Sequence, residues 1–151
     1  MSLTIRPATA ADLEPSIELL EKAGLPVTDL AADRLAMVAE NDTVFQGVIG
    51  LESFNGVALL RSLVVAADAR GLGIGPALVT ALEVACLADG VGELWLLTID
   101  ADAFFEKLGY VPRDRADAPA AIRTTEEFSG LCPGDAVLMS KYLGVQQDGI
   151  G

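Results

Sequence analysis

The alternation of apolar and polar positions divides the 151-residue chain into short strands and amphipathic helices. Leu3 to Pro7 is strand-like, and Thr9 to Asp12 offers caps ahead of a helix that runs to about Lys22 and stops at Gly24. A second helix is predicted from Leu30 to Glu40, with Asp29 near its start. Thr43 to Phe54 and Val57 to Ala66 read as strands joined at Asn55-Gly56, a two-residue hairpin signal. A helix from Gly75 to about Asp89 follows, with Gly90 as its stop, and then a buried strand from Glu93 to Thr98. Asp100 to Leu108 is a short helix closed by Gly109, and Tyr110 to Asp114 is a strand. Pro119 to Phe128 forms a helical turn or two, with Pro119 suited to its first position, and Ala136 to Tyr142 is the last strand. The order predicts a mixed α/β (α+β) fold in one domain over residues 1–143, with helices interrupting a largely antiparallel sheet and a frayed tail over 144–151.

Composition narrows the function classes. At 52% hydrophobic residues the chain has enough apolar material for a proper core. No apolar run approaches the roughly 20 residues that span a bilayer, and no basic region precedes an apolar stretch at the start. Acidic residues outnumber basic ones 22 to 10, a formal charge of -12, which argues against a nucleic-acid partner. Two cysteines, Cys86 and Cys132, give no disulfide framework, so a reducing cytoplasm is expected. There is no histidine and no cysteine cluster, so no metal site is expected.

Chemistry concentrates in Leu63-Val64-Val65-Ala-Ala-Asp-Ala-Arg70-Gly71-Leu72-Gly73-Ile74-Gly75. An apolar strand runs into a turn with one arginine and three glycines, and the turn opens into a helix. Glycines let main chain approach a ligand closely, and the unpaired N–H groups of a helix start favour an anion. The pattern lacks both the G-x-G-x-x-G of dinucleotide folds and the Gly-Lys-Ser/Thr of a Walker A loop, so those readings drop out.

What remains resembles the GNAT superfamily of acyl-CoA-dependent N-acetyltransferases. Its Q/R-x-x-G-x-G/A motif is matched by Arg70 to Gly75, and its downstream aromatic motif by Phe104-Phe105-Glu-Lys-Leu-Gly109-Tyr110. The opening Thr4-Ile5-Arg6-Pro7-Ala8 followed by Asp12-Leu13 is also similar to the family's start. The resemblance implies a twisted sheet whose fourth and fifth strands splay apart. It implies that acetyl-CoA lays its pyrophosphate on the amides of Arg70, Gly71, Leu72, Gly73, Ile74 and Gly75. The pantetheine arm would pair with backbone at Leu63, Val64 and Val65, and the amide of Val64 or Val65 would stabilise the oxyanion. Phe104 and Phe105 would line the far side of the arm. Many relatives carry a tyrosine as general acid at the second aromatic position; here it is Phe105, which cannot donate a proton. Tyr110, the motif's terminal aromatic, reads as core. Relatives often form dimers, so a homodimer is among the expectations.

For a general base, Glu52 is the first candidate, acting through water on the incoming ammonium. It shares a strand face with Val48, Gly50 and Phe54, although a solvated strand charge would look the same. Arg61 either holds an anionic substrate or pairs structurally with Glu52. Ala58 to Val65, Trp95 to Thr98 and the stretch from Arg115 to Pro133 are similar to the GNAT branch associated with arsenic-resistance operons. That resemblance suggests an arsenical amino acid or related small amine as acceptor, bound by the late segment through Arg123, Thr125, Glu127 and Cys132. Cys132 would meet a soft arsenic(III) centre or pack as a small hydrophobe; Cys86 reads as core. Two other functions stay open: acetyl transfer to an ordinary amino acid, amine or antibiotic, and a non-catalytic acyl-CoA sensor.

Overall fold

The computed structural model describes residues 3–25, 27–125, 128–129 and 136–144. Glu127 and Cys132 lie outside them. The chain divides into two compact units: residues up to Leu51 with Arg61–Ala85, and Glu52–Leu60 with the residues from Cys86 onward.

In the first unit, β1 (Leu3–Pro7), β2 (Leu35–Asn41) and β3 (Val44–Ser53) form an antiparallel ladder, and β4 (Val57–Val65) follows beside β3. Helix α1 (Leu13–Lys22) and most of α2 (Ile74–Ala88) belong to this unit. Leu20, Leu35, Val38, Val48 and Val64 make a buried cluster, with Leu13, Leu25, Val27 and Leu30 packed against it. The segment from Leu30 to Glu40, expected as a helix, is a 3-10 turn at Ala32–Arg34 followed by strand β2. Its local propensity yields to pairing on both sides: Ile5 sits opposite Ala39, and Val38 opposite Val48. Val38 and Ala39 are adjacent in sequence yet both fully buried, as in a strand covered on two faces. The β2–β3 turn is Asp42-Thr43, both with positive φ (53° and 68°), the conformation of a type I′ hairpin.

In the second unit, the first half of β4 pairs in parallel with β5 (Glu93–Thr98), Val57–Leu59 opposite Glu93–Trp95. Both strands continue beyond that short ladder. β5 pairs antiparallel with β7 (Val137–Tyr142), and β7 with β6 (Val111–Arg113). One face carries Leu59, Trp95 and Leu138, covered by Ala118 and Ile122. Helix α3 (Asp102–Lys107) precedes β6, and Phe105 and Tyr110 at its end are buried. Helix α4 is only Ala120–Arg123, shorter than expected, and Pro119 caps it instead of opening it. Thr125 closes the turn: its hydroxyl donates to the Ile122 carbonyl (2.7 Å) and accepts from the Phe128 N–H (3.3 Å). Seven strands, mostly antiparallel, with one parallel pairing and four α-helices among the described residues give the expected mixed α/β fold.

Candidate cofactor site

At the end of β4 the Ala66 N–H donates to the Gln46 carbonyl (2.7 Å), and a 3-10 turn over Ala67–Ala69 follows. Gly71 and Gly73 then both take positive φ, 85° and 81°, where a side chain would be strained. A Cβ added at either would meet nothing within 4 Å, so their surface side is bare. Ile74 begins α2 and anchors it, with its side chain buried. The first helical bond in this region runs from the Ala77 N–H to the Gly73 carbonyl (3.2 Å). Among the described residues, the N–H groups of Gly71, Leu72, Gly73, Ile74 and Gly75 have no backbone carbonyl partner. Pro76, in the first turn, has no N–H to leave unpaired. Five such donors thus surround two left-handed glycines at the positive end of a 15-residue helix, an arrangement suited to an anion. Arg70 is exposed at its rim, with Nε donating back to the Val65 carbonyl (3.2 Å).

The strand before this loop is bent. Ser62 has φ +58°, unusual for a residue with a side chain and placed within β4. The bend breaks the alternation of a regular strand. Val64 directs its side chain into the apolar cluster, so only its main chain is available for other contacts. Leu63 and Val65 are half-buried. A Cβ on Gly47 would stand 3.0 Å from the Val64 carbonyl oxygen, which explains why that position on β3 is bare.

Arg61 is an ion-pair residue of the interior. Its side chain is 0% exposed, and its two Nη atoms donate to Asp29 Oδ2 and Oδ1, each at 2.5 Å. Its Nε donates to Ser62 Oγ (3.2 Å). Arg34 also donates to Asp29 Oδ2, at 2.7 Å. The Arg61 guanidinium holds the Asp29 carboxyl below its usual range, against the burial that pushes it up. Of the two expectations for Arg61, an anionic substrate or an ion pair with Glu52, the structure sets beside them a third partner: the carboxylate of Asp29 occupies its fork, and its side chain is buried. Sequence reading missed Asp29 as this partner, taking it for a helix start. A lone arginine in the apolar run Leu59-Leu60-Arg61 was the available signal, since a buried guanidinium requires an acid. The bend at Ser62 had no sequence signal, because glycine is the residue that advertises positive φ.

The remaining candidates lie in the second unit. Phe105 is buried, its ring edge-on to Phe104 (5.0 Å between centroids) and to Tyr110 (5.6 Å); Phe104 is half-buried. Tyr110 is core, as read from the sequence. Glu52 is half-buried near the end of β3. Arg123 is exposed, but its Nε donates to the Ala118 carbonyl (2.9 Å) and its Nη2 to that of Ala116. Thr125 is buried with its hydroxyl engaged as described, a role in the turn and not at a surface. Among the described residues no cluster of metal-ligating side chains occurs and no helix is long and apolar enough to cross a membrane.

Solved structures share this fold. N-acetylglutamate synthase from Neisseria gonorrhoeae, complexed with coenzyme A and N-acetyl-glutamate, superposes with a TM-score of 0.82 at 18% identity, over 96% of this chain and 36% of that one. This chain thus spans about a third of the synthase. Rv2747 from Mycobacterium tuberculosis, in complex with CoA and NLQ, gives 0.78 at 19% identity over 93% and 99% of the two chains. PaiA N-acetyltransferase from Thermoplasma acidophilum, in complex with coenzyme A, gives 0.69 at 19% over 94% and 99%. No curated protein matches the sequence. The profile of the acetyltransferase (GNAT) domain matches residues 32–112, more than half of the chain, from the turn before β2 through the glycine loop to β6, and the chain belongs to the GNAT acetyltransferase family.

Proposed function

We propose that this acetyltransferase moves the acetyl group of acetyl-CoA to the amine of a small, carboxylate-bearing acceptor. The observation that carries the reading is the row of unpaired N–H groups from Gly71 to Gly75 at the start of α2. Those amides suit a pyrophosphate in charge, and the open space beside Gly71 and Gly73 leaves room for it. When bound, acetyl-CoA supplies the activated thioester. In this reading Arg70 to Gly75 hold the pyrophosphate, and the main chain of Leu63 to Val65 pairs with the pantetheine arm. The Val64 N–H stands at the carbonyl oxygen that gains negative charge. Glu52 accepts the ammonium proton through water. With Phe105 unable to donate, the departing thiolate takes its proton from solvent.

For the acceptor, the reading draws on structural neighbours solved in complex with coenzyme A and N-acetyl-glutamate, or with CoA and NLQ. The likeness of the late segment to the arsenic-resistance branch makes an arsenical amino acid the first acceptor to try. Arg123 would meet its carboxylate, with Glu127 and Cys132 nearby in sequence. The setting that goes with this reading is the cytoplasm.

The test is acetyl-CoA turnover by thiol release against amino acids, polyamines, aminoglycosides and amino-acid arsenicals, with calorimetric titration of CoA alongside. Acceptor-dependent release with a carboxylate-bearing amine is the expected result. Tight CoA binding without release would favour a sensor, and release with polyamines alone would overturn the acceptor class.

A further inference from the structure

The Asp29–Arg61 pair has a geometry that goes beyond filling the interior. Replacing a buried ion pair with apolar residues is often neutral or stabilising, so its presence asks for a second reason. Three features of the first unit supply one. Arg61 immediately precedes the left-handed residue Ser62, and its rigid fork is held at both ends. The two Nη atoms are on Asp29, which fixes the guanidinium, and Nε is on Ser62 Oγ, so rotation of the chain at Ser62 pulls its hydroxyl off a held donor.

Asp29 is itself fixed. Arg34 Nη1 donates to its carboxylate and, at 3.1 Å, to its main-chain carbonyl. Val27 and Leu30, on either side of it, pack against the apolar cluster that contains Val64. Finally, β3 is bare where it faces the pair: a Cβ on Gly50 would lie 2.7 Å from the Arg34 carbonyl oxygen and 3.2 Å from that of Arg61. The connection between α1 and β2 is therefore clamped onto β4 one residue before its bend.

Resting on the acetyl-transfer reading above, we propose that Asp29 and Arg61 are a positioning couple: their ion pair holds the left-handed bend at Ser62 and so fixes where the N–H groups of Leu63 and Val64 point. Serine enters that backbone region only under constraint, whereas glycine enters it freely. The couple touches neither acetyl-CoA nor acceptor. It acts through main-chain direction, and that separates it from a substrate-binding role for Arg61.

The experiment is a cycle of Asp29→Asn, Ser62→Gly and the double variant, read by steady-state kinetics and by hydrogen exchange of the Leu63 and Val64 amides in the ligand-free protein. In Asp29→Asn, kcat falls at least tenfold while KM for acetyl-CoA and for acceptor stay within twofold, and the two amides exchange at least tenfold faster. Adding Ser62→Gly restores kcat to within threefold of wild type, a rescue that simple loss of stability would not show. An unchanged kcat in folded Asp29→Asn, a rise confined to acceptor KM, or no rescue by Ser62→Gly would each overturn the proposal. If Asp29→Asn does not fold, Ser62→Gly and Ser62→Val decide it, since a β-branched residue resists positive φ. The glycine variant then exceeds the valine variant at least tenfold in kcat, and equal values overturn the couple. A wild type that neither binds CoA nor releases thiol would sink the acetyl-transfer reading instead, and amide exchange alone would then judge the couple: faster exchange in Asp29→Asn supports it, unchanged exchange ends it.

Discussion

Two polar regions of the first unit sit ten residues apart along the chain and behave oppositely. At Arg61 the charge is buried and its donors are taken by Asp29 and Ser62. At Gly71 to Gly75 there is no charged or polar side chain, yet five main-chain donors have no carbonyl partner. The stronger charge is closed to ligands and the weaker dipoles are open to them. A guanidinium taken out of water must find its acid inside the fold, whereas helix-start amides at a surface stay hydrated until an anion replaces the water. Unpaired donors thus remain at this surface where the chain has main-chain amides, and not at its buried arginine.

The contrast breaks most directly at Gly73. A valine there would be β-branched at φ 81° and would place carbon atoms into the open space beside the amides. Gly73→Val should weaken CoA binding by at least about tenfold, roughly 1.4 kcal/mol or more. Calorimetric titration of purified, folded variant checks it. Affinity equal to wild type would mean that the open amides are not the anion site.

On the closed side, the sharpest probe is Gly50→Ala. The new methyl would stand 2.7 Å from the Arg34 carbonyl oxygen, and backbone cannot yield as a side-chain tip can. A loss of about 1–3 kcal/mol in unfolding free energy is expected, read from urea denaturation. Gly92→Ala is the control, since a Cβ there meets nothing within 4 Å; it should stay within about 0.5 kcal/mol.

How far the sequence reveals this arrangement depends on how local each signal is. The glycine turn and the helix after it were legible because the residues that form them are contiguous. The error at Leu30 to Glu40 has the opposite origin. Alanine, leucine and methionine favour a helix locally, but the segment is a central strand made by its neighbours β1 and β3. The one local clue, the Asp42-Thr43 turn, lacks the glycine that usually marks such hairpins. Asp29 and Arg61 are 32 residues apart, and no spacing rule joins them. Phe105 shows a further limit: its place in the aromatic motif was readable, but not that its ring packs edge-on against Tyr110 in the interior.

A smaller effect should appear in acid. Arg6 is hydrogen-bonded to both oxygens of Asp12 (2.9 Å each), which lowers that carboxyl from 3.8 to about 2. A depressed carboxyl contributes stability that is fully present above its unfolded value and lost as pH falls through the folded one. Thermal unfolding should therefore show stability declining from about pH 4 toward pH 2. Asp12 accounts for on the order of 1–2 kcal/mol of that, discounted because Arg6 is partly exposed and screened. Asp12→Asn should flatten the slope. Asp29 adds a contribution of the same sign.

Arg123 is the intermediate case and the finest test of the contrast. Like Arg61 it donates to the protein's own oxygens, the carbonyls of Ala116 and Ala118, but unlike Arg61 it is exposed. Those two bonds orient the guanidinium without burying it, which is the state a carboxylate clamp requires. Because the bonds are at the surface, Arg123→Ala should cost no more than about 1 kcal/mol in stability. If the exposed edge meets the acceptor, KM for a carboxylate-bearing amine should rise about tenfold, while KM for acetyl-CoA is unmoved. Lysine should recover only part of the loss, because a point charge cannot reproduce the fork. A variant that loses several degrees of Tm with unchanged acceptor KM would instead place Arg123 with Arg61, as a structural tie, and would move the search for the acceptor's anionic end to other residues of the late segment.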